Sequence, residues 1–175
     1  MRKRLGVMCS GNGTNFENIV KSCWNHEVVI MIYNNENCGA AQRAAKYGIP
    51  AAYFPHSEQV RIANEFKWQR VDYIILAGYM RILSKGFIDS FPNKIINVHP
   101  SLLPKYKGLH AVEQAMDSSD TVTGCTVHYV NEELDAGQII KQAEVPILEN
   151  DTVEILTKRI QQEEYRILPE VIDML

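Results

Sequence analysis

Asn97 and His99 stand two residues apart at the end of an apolar run, and both side chains are of types used in acyl transfer. On an extended strand, residues two apart point to the same face. Pro100 follows directly and cannot donate to a β-ladder, so we expect the strand to end at His99. An amide that donates to an oxyanion, placed beside a titratable imidazole, suits acyl transfer. The same pattern also fits a strand end that carries an incidental histidine.

A second candidate site is the loop Ser10-Gly11-Asn12-Gly13-Thr14-Asn15, which follows a predicted strand and precedes a predicted helix. Backbone N–H groups at such a helix start can hold a phosphate. No Gly-Lys-Ser/Thr follows, and Phe16 occupies the position of the third glycine of a dinucleotide-binding loop. The loop therefore predicts a site for a single phosphate monoester. A glycine turn needed only for close packing is the alternative.

A third candidate is the acidic segment from Asn131 to Gly137, in which Asp135 lies in a predicted turn. A carboxylate near His99 would favour the imidazolium and orient the ring. A solvated acidic loop is the alternative, since charge runs usually face water. His128 is interpreted as an ordinary structural histidine of a strand. Ser101 lacks the glycines of a nucleophile elbow, which disfavours a hydrolase triad.

The composition narrows the class of protein. The 175 residues include 46% hydrophobic and 22% charged residues, which is typical of one globular domain. The net charge of −3 disfavours nucleic acid as a partner. The four cysteines lack C-x-x-C spacing, so we expect reduced thiols in a cytoplasmic protein and no metal site. No apolar run has the length of a signal sequence or a membrane span, so a membrane partner is not expected.

Near-continuous apolar runs separated by helical patterns predict an α/β fold: a Rossmann-like open, mostly parallel sheet with helices on both faces, mixed at one edge. Thr14 or Asn15 is expected to cap the first helix, and Pro92 to stop a short helix around Phe87. Strands are expected at 5–9, 28–33, 51–54, 71–77, 95–99, 121–130 and 139–145. Further helices are expected at 40–47, 56–70, 110–116 and 152–168.

Five segments carry a family resemblance when they are read in order. They are Ser10 to Asn15, Met80 to Leu83, Asn97 to Tyr106, Gly124 to His128 and Leu134 to Gly137. Together they resemble the phosphoribosylglycinamide formyltransferases, a folate-dependent family of purine synthesis, over residues 5–168. The Asn-x-His-Pro-Ser-Leu-Leu-Pro segment is similar to that of the wider 10-formyltetrahydrofolate transferases. The Ser-Gly-Asn-Gly-Thr-Asn loop narrows the resemblance to the glycinamide ribonucleotide enzymes.

The resemblance implies a single formyltransferase domain over residues 1–175. It implies transfer of a formyl group from 10-formyltetrahydrofolate, as co-substrate, to the amine of glycinamide ribonucleotide, with no metal. Asn97 and a protonated His99 would stabilise a tetrahedral oxyanion. Asp135 would keep His99 protonated and position a water or the amine. A homodimer is left open.

The resemblance also implies which residues bind the substrates. Gly13, Thr14 and Asn15 would hold the substrate phosphate, and Gln161 and Glu164 would contact the same substrate. The alternative for the last two is an ordinary polar helix face. Residues implied to line the folate slot are Met80, Arg81, Ile82, Leu83, Asn97, Val130, Asn131, Glu132, Glu133, Leu134 and Asp135. Leu76, Ile88 and Ile95 would form its apolar wall, although Leu76 and Ile95 are more simply explained as core.

Four other functions remain to be weighed. A methionyl-tRNA formyltransferase would need a further RNA-binding domain and a basic surface, and a formyltetrahydrofolate hydrolase would usually carry an amino-terminal regulatory domain. A sugar-nucleotide formyltransferase is disfavoured only by the resemblance of the Ser10 to Asn15 loop. A nucleotide- or folate-binding module without catalysis is disfavoured by the presence of Asn97, His99 and Asp135.

Overall fold

The computed structural model of the chain describes all 175 residues, and its strands form one seven-stranded sheet. The strands are β1 (Arg4–Cys9), β2 (Glu27–Tyr33), β3 (Ala51–Tyr53), β4 (Tyr73–Leu76), β5 (Ile95–His99), β6 (Val122–Tyr129) and β7 (Ile139–Pro146). The helices are α1 (Thr14–Ser22), α2 (Gly39–Lys46), α3 (Gln59–Trp68), α4 (Lys85–Ser90), α5 (Ala111–Asp117) and α6 (Val153–Asp173). A short 3₁₀ helix (His56–Glu58) precedes α3.

The strand order is β3-β2-β1-β4-β5-β6-β7. Strands β1 to β5 pair in parallel, whereas β6 pairs antiparallel with both β5 and β7. The predicted fold class, a mostly parallel sheet that is mixed at one edge, is therefore confirmed. Strands β2 and β3 are added on one side of β1, whereas β4 and the later strands are added on its other side, so the order reverses between β1 and β4. In open α/β sheets, ligands bind at the carboxyl ends of the strands at such a point.

Two apolar cores cover the two faces of the sheet. The larger packs α1, α2, α5 and α6 against one face, and its members include Val7, Ile96 and Ile160. The smaller packs α3 and α4 against the other face around Phe66 and Phe87. Because alternate residues of a strand point to opposite faces, neighbours such as Val7 and Met8 belong to different cores. This two-sided burial explains why the parallel strands read as continuous apolar runs.

The start of α1 differs from the sequence prediction. Neither Thr14 nor Asn15 caps the helix: the N-cap residue is Gly13, with φ of 73° and no side-chain cap. A Cβ atom at Gly13 would lie 2.6 Å from the Cα of Ala40, so only glycine fits both the backbone conformation and the space. With no capping side chain, the N–H groups at the start of α1 stay open to a ligand.

The end of α6 also differs from the prediction, which stopped the helix at Leu168. The helix continues through Pro169 to Asp173. A proline lacks the N–H that would bond to the carbonyl four residues earlier, here that of Tyr165. The Asn18 side chain of α1 donates to that carbonyl instead, at 2.8 Å. The tertiary contact thus replaces the missing helical bond, and sequence alone could not reveal it.

The other predicted elements are present, with ends shifted by a few residues. Gly48 follows α2 in a left-handed conformation, with φ of 65°. All four cysteines are buried and free. No helix combines the length and the apolar character needed to cross a bilayer.

Candidate active site

One cleft of about 1070 Å³ lies along the carboxyl ends of the parallel strands and is lined by residues of all three candidate sites found in the sequence. The predicted site residues that line it are Gly13, Thr14, Asn15, Met80, Arg81, Ile82, Leu83, Asn97, His99, Val130, Asn131, Glu132, Glu133, Leu134, Asp135, Gln161 and Glu164. Leu76 and Ile88 also line the cleft, whereas Ile95 is buried in the smaller core. The volume is large for a single small-molecule site and leaves room for two substrates.

At one end of the cleft, the glycine loop presents backbone donors. No protein acceptor receives the N–H groups of Asn12 and Gly13. The first N–H groups of α1 have no acceptor within the helix, as at any helix start. The positive end of the helix dipole lies at the same place. This end of the cleft can therefore bind an anion through backbone groups.

Glu164 is a buried carboxyl group next to the glycine loop, with only 7% of the residue exposed. It accepts a hydrogen bond of 3.1 Å from the Asn15 side-chain amide. Burial raises the pKa of Glu164 to about 7, and the bond from Asn15 opposes that rise only in part. The Oδ1 atom of Asn15 is buried without a partner. This pair therefore places a buried carboxyl group and an unpartnered amide oxygen next to the glycine loop.

Elsewhere in the same cleft, His99 lies between two acceptor groups. Its Nε2 atom is 2.8 Å from the Tyr106 carbonyl, which can only accept, so Nε2 donates. Its Nδ1 atom is 3.4 Å from Oδ2 of Asp135, and the His99 residue is 6% exposed. The carbonyl at Nε2 and the carboxylate beside Nδ1 together fix the orientation of the ring.

Asn97 is oriented by His128, which lies directly opposite it in the antiparallel pairing of β5 and β6. The Nδ1 atom of His128 donates to the Tyr129 carbonyl at 2.9 Å, which leaves Nε2 as an acceptor. The Asn97 amide nitrogen is 3.3 Å from that Nε2 atom. Burial lowers the pKa of His128, although the Tyr129 carbonyl and the Asp135 carboxylate oppose this. A neutral His128 therefore fixes the amide of Asn97 with its nitrogen toward β6.

Asp135 reaches His99 because of the shape of its loop. The residue has φ of 49°, a left-handed conformation that aspartate tolerates better than most residues. Its Oδ2 atom also accepts from the Gly108 N–H at 2.8 Å. Gly137 lies so close to the Tyr129 carbonyl that a Cβ atom there would be 1.6 Å from the oxygen. The glycine lets the loop turn tightly after β6, and the turn carries Asp135 back toward β5.

The loop after β4 also lines the cleft, and hydrogen bonds join it to the glycine loop. Ser10 accepts from the Met80 N–H at 2.8 Å, and the Ser10 N–H donates to Gly78 at 3.1 Å. Met80 and Ile82 are largely exposed, whereas Leu83 is buried. This mixture of apolar side chains and free backbone groups suits a flat aromatic ligand that also carries hydrogen-bonding edges.

Three histidines that the sequence did not place in the site also line the cleft: His56, His110 and His128. His128 is buried and hydrogen-bonded, as expected of a structural strand histidine, and one of its partners is the predicted site residue Asn97. Its place opposite Asn97 depends on strand register, for which the sequence carries no local signal. No group of three or more His, Cys, Asp or Glu side chains is arranged to hold a metal ion.

Comparison with known proteins agrees with this geometry. Residues 3–172 match the family described as "Formyl transferase". Phosphoribosylglycinamide formyltransferase of Haemophilus influenzae is 39% identical over an alignment of 181 residues, gaps included, and the alignment covers 97% of this chain and 85% of that protein. The crystal structure of phosphoribosylglycinamide formyltransferase from Anaplasma phagocytophilum has a TM-score of 0.96 at 40% identity, covering 99% of this chain and 86% of that one.

Longer proteins match as well. The trifunctional purine biosynthetic protein adenosine-3 of Drosophila pseudoobscura pseudoobscura is 41% identical over an alignment of 187 residues, gaps included, and the alignment covers 99% of this chain. The chain spans only 14% of the length of that relative. The family match over nearly the whole chain, together with the relatives of similar length, shows that the chain belongs to the formyl transferase family, among its phosphoribosylglycinamide formyltransferases.

Proposed function

We propose that this chain transfers a formyl group from 10-formyltetrahydrofolate to the amine of glycinamide ribonucleotide in purine biosynthesis. The observation that carries the proposal is one cleft that is lined both by the backbone N–H groups of the glycine loop and by the Asn97–His99–Asp135 group. A phosphorylated amine could bind the glycine loop through its phosphate and present its amine to the Asn97–His99–Asp135 group. Family membership supports the same reaction.

In the proposed reaction the amine nitrogen attacks the formyl carbon, and the carbonyl electron pair moves onto the oxygen. The Asn97 amide donates to this oxyanion, and the positive charge of the His99 imidazolium stabilises it. When the oxyanion collapses, the bond to the folate nitrogen breaks and the electron pair leaves with that nitrogen. His99 helps to move the proton lost by the amine to the leaving nitrogen. The products are the formylated amide and tetrahydrofolate.

Asp135 is assigned two tasks in this mechanism. Its carboxylate lies 3.4 Å from Nδ1 of His99, where it stabilises the imidazolium and fixes the orientation of the ring. It is also the acceptor best placed to orient a water molecule or the attacking amine beside the ring. The Asp135 side chain is 8% exposed, so bulk water screens these interactions only weakly.

The remaining assignments follow from the same cleft. Gly13, Thr14 and Asn15 bind the phosphate, and Gln161 and Glu164 bind the rest of the same substrate. The folate occupies the slot formed by residues 80–83 and 130–135, with Leu76 and Ile88 as apolar wall. We further propose a single domain, a cytoplasmic location, in keeping with four free cysteines, and no nucleic-acid or membrane partner.

The experiment that tests the proposal is a formyl-transfer assay with glycinamide ribonucleotide, run beside hydrolysis of 10-formyltetrahydrofolate without acceptor. We expect the formylated ribonucleotide and tetrahydrofolate in equal amounts, and much slower hydrolysis alone. Transfer to a sugar-nucleotide amine at a higher kcat/KM would overturn the proposed acceptor. Binding of either substrate without turnover would mean a binding module.

A further inference from the structure

The loop that we assign to phosphate is held from behind by the first part of α2. The Gly11 carbonyl accepts from the Cys38 thiol at 2.8 Å and from the Ala40 N–H at 3.2 Å. The next carbonyl, that of Asn12, accepts from Nε of Arg43 at 2.7 Å. Two successive carbonyls of the loop are therefore bonded to one neighbouring helix.

These bonds determine where the N–H groups of the loop point. In a trans peptide unit, the C=O and the following N–H point in opposite directions. The peptide between Asn12 and Gly13 is trans, and its carbonyl is bonded to Arg43. The Gly13 N–H, which has no protein acceptor, must therefore point away from α2. By the same reasoning, the Asn12 N–H points away from α2, because the Gly11 carbonyl of that peptide unit is bonded to Cys38 and Ala40.

Arg43 is itself held in place. Its Nη1 atom pairs with Glu17 of α1, so the guanidinium bonds α1 and the loop at once. Glu17 also accepts from the Tyr47 hydroxyl at 2.7 Å, and Lys21 and Lys46 lie 3.3 and 3.5 Å from it. A planar guanidinium with several donors can make two such bonds in fixed directions, which a lysine ammonium cannot reproduce.

We propose that Arg43 is a positioning residue for the phosphate site, which holds the Asn12 carbonyl so that the Gly13 N–H points into the cleft. This inference rests on the proposed function, since it assumes that the loop binds the phosphate of the acceptor. Arg43 does not touch the substrate in this arrangement, because it lies on the far side of the loop. Its effect is confined to the phosphate end of the cleft.

The test compares Arg43→Met and Arg43→Lys with the control Lys46→Met. Lys46→Met removes the same charge from the same Glu17 cluster and helix, but Lys46 makes no bond to the loop. We expect Arg43→Met to raise the KM for glycinamide ribonucleotide about 10-fold or more, equivalent to the loss of one well-aligned hydrogen bond. The KM for 10-formyltetrahydrofolate and kcat should change less than about 2-fold, as should all parameters of Lys46→Met.

Two further measurements separate a positioning role of Arg43 from an effect of its charge and from a general loss of activity in the variant. Arg43→Lys keeps the charge, so we expect it to resemble Arg43→Met; recovery of the wild-type KM would overturn the proposal. With glycinamide riboside, which lacks the phosphate, wild type and Arg43→Met should be equal. An equal loss with the riboside would also overturn it.

Binding of inorganic phosphate, measured by calorimetry, makes the test independent of turnover. We expect Arg43→Met to weaken this binding by the same factor as it raises the KM. If the chain bound phosphate but formylated a different amine, the proposed acceptor would fail while the role of Arg43 stood. If phosphate did not bind wild type, or bound all the variants equally, the role of Arg43 would be refuted.

Discussion

The two ends of the cleft are built in different ways. The proposed phosphate end consists of backbone groups from one continuous segment, Gly11 to Asn15, shaped by a left-handed glycine and backed by α2. The proposed catalytic end consists of side chains from β5, β6 and the loop after β6, which meet only in the folded state. In the proposed mechanism, the first would hold a constant chemical group, whereas the second would respond to charge that develops during the reaction. Binding and turnover should therefore be separable by mutation.

The largest expected effect is at the catalytic end. We expect His99→Ala to lower kcat by about 100- to 1,000-fold or more, because one main stabiliser of the oxyanion is lost. Phosphate binding at the other end should be unchanged. The measurement is steady-state transfer together with phosphate titration of the folded variant. Near-wild-type turnover would remove His99 from the mechanism.

The same contrast explains what the sequence could predict. The glycine loop was found from local spacing, since strand, loop and helix follow one another in the chain. Asn97 and His99 were paired from their two-residue spacing, whereas the role of Asp135 was assigned through resemblance to a family, because Asp135 lies 36 positions after His99 in the chain. The contact of His128 with Asn97 was not predicted, because it depends on the strand register that sets the two residues opposite each other. The passage of α6 through Pro169 was missed because the compensating group, Asn18, lies on another helix.

The second effect is at the phosphate end. We expect Gly13→Ala to raise the KM for glycinamide ribonucleotide by about 10-fold or more, since the added Cβ would meet Ala40 at 2.6 Å and φ is positive. Gly86→Ala on α4 is the control, because nothing lies within 4 Å of a Cβ at that position and Gly86 does not line the cleft. Acceptor-free hydrolysis should be little changed in both variants. Equal effects of the two substitutions would contradict the assigned role of the loop.

The third prediction concerns Glu164, beside the phosphate end. Its folded pKa of about 7 lies above the usual value of 4.5, so the folded state favours the protonated acid. The resulting cost to stability is absent below about pH 4.5, develops as the pH rises, and is complete above about pH 7. Glu164→Gln should therefore stabilise the fold by up to about 3 kcal/mol at pH 8 and by almost nothing at pH 4.

Denaturant unfolding at several pH values measures this difference. Glu163→Gln is the control, because Glu163 is a partly exposed neighbour that pairs with Arg166 at the surface. We expect its effect to stay within about 0.5 kcal/mol at both pH values. A pH-independent effect of Glu164→Gln would mean that Glu164 is already ionised in the folded state near neutrality.

The smallest effect is expected away from the cleft, where α1 supports α6. Asn18→Ala should cost about 1–2 kcal/mol of unfolding free energy, because it leaves the Tyr165 carbonyl without a partner. In a Pro169→Ala background the helix regains its own N–H donor, so the same substitution should cost clearly less. Thermal or denaturant unfolding of the four proteins measures this coupling, and equal costs in both backgrounds would contradict it.

The most direct test of the two-ended cleft is a crystal structure with glycinamide ribonucleotide and a non-transferable analogue of 10-formyltetrahydrofolate. We expect the phosphate within roughly 2.7–3.2 Å of N–H groups of residues 13–15. The amine should then face the position of the formyl carbon beside Asn97 and His99. A phosphate bound elsewhere, or an amine directed away from His99, would contradict the proposed division of the cleft.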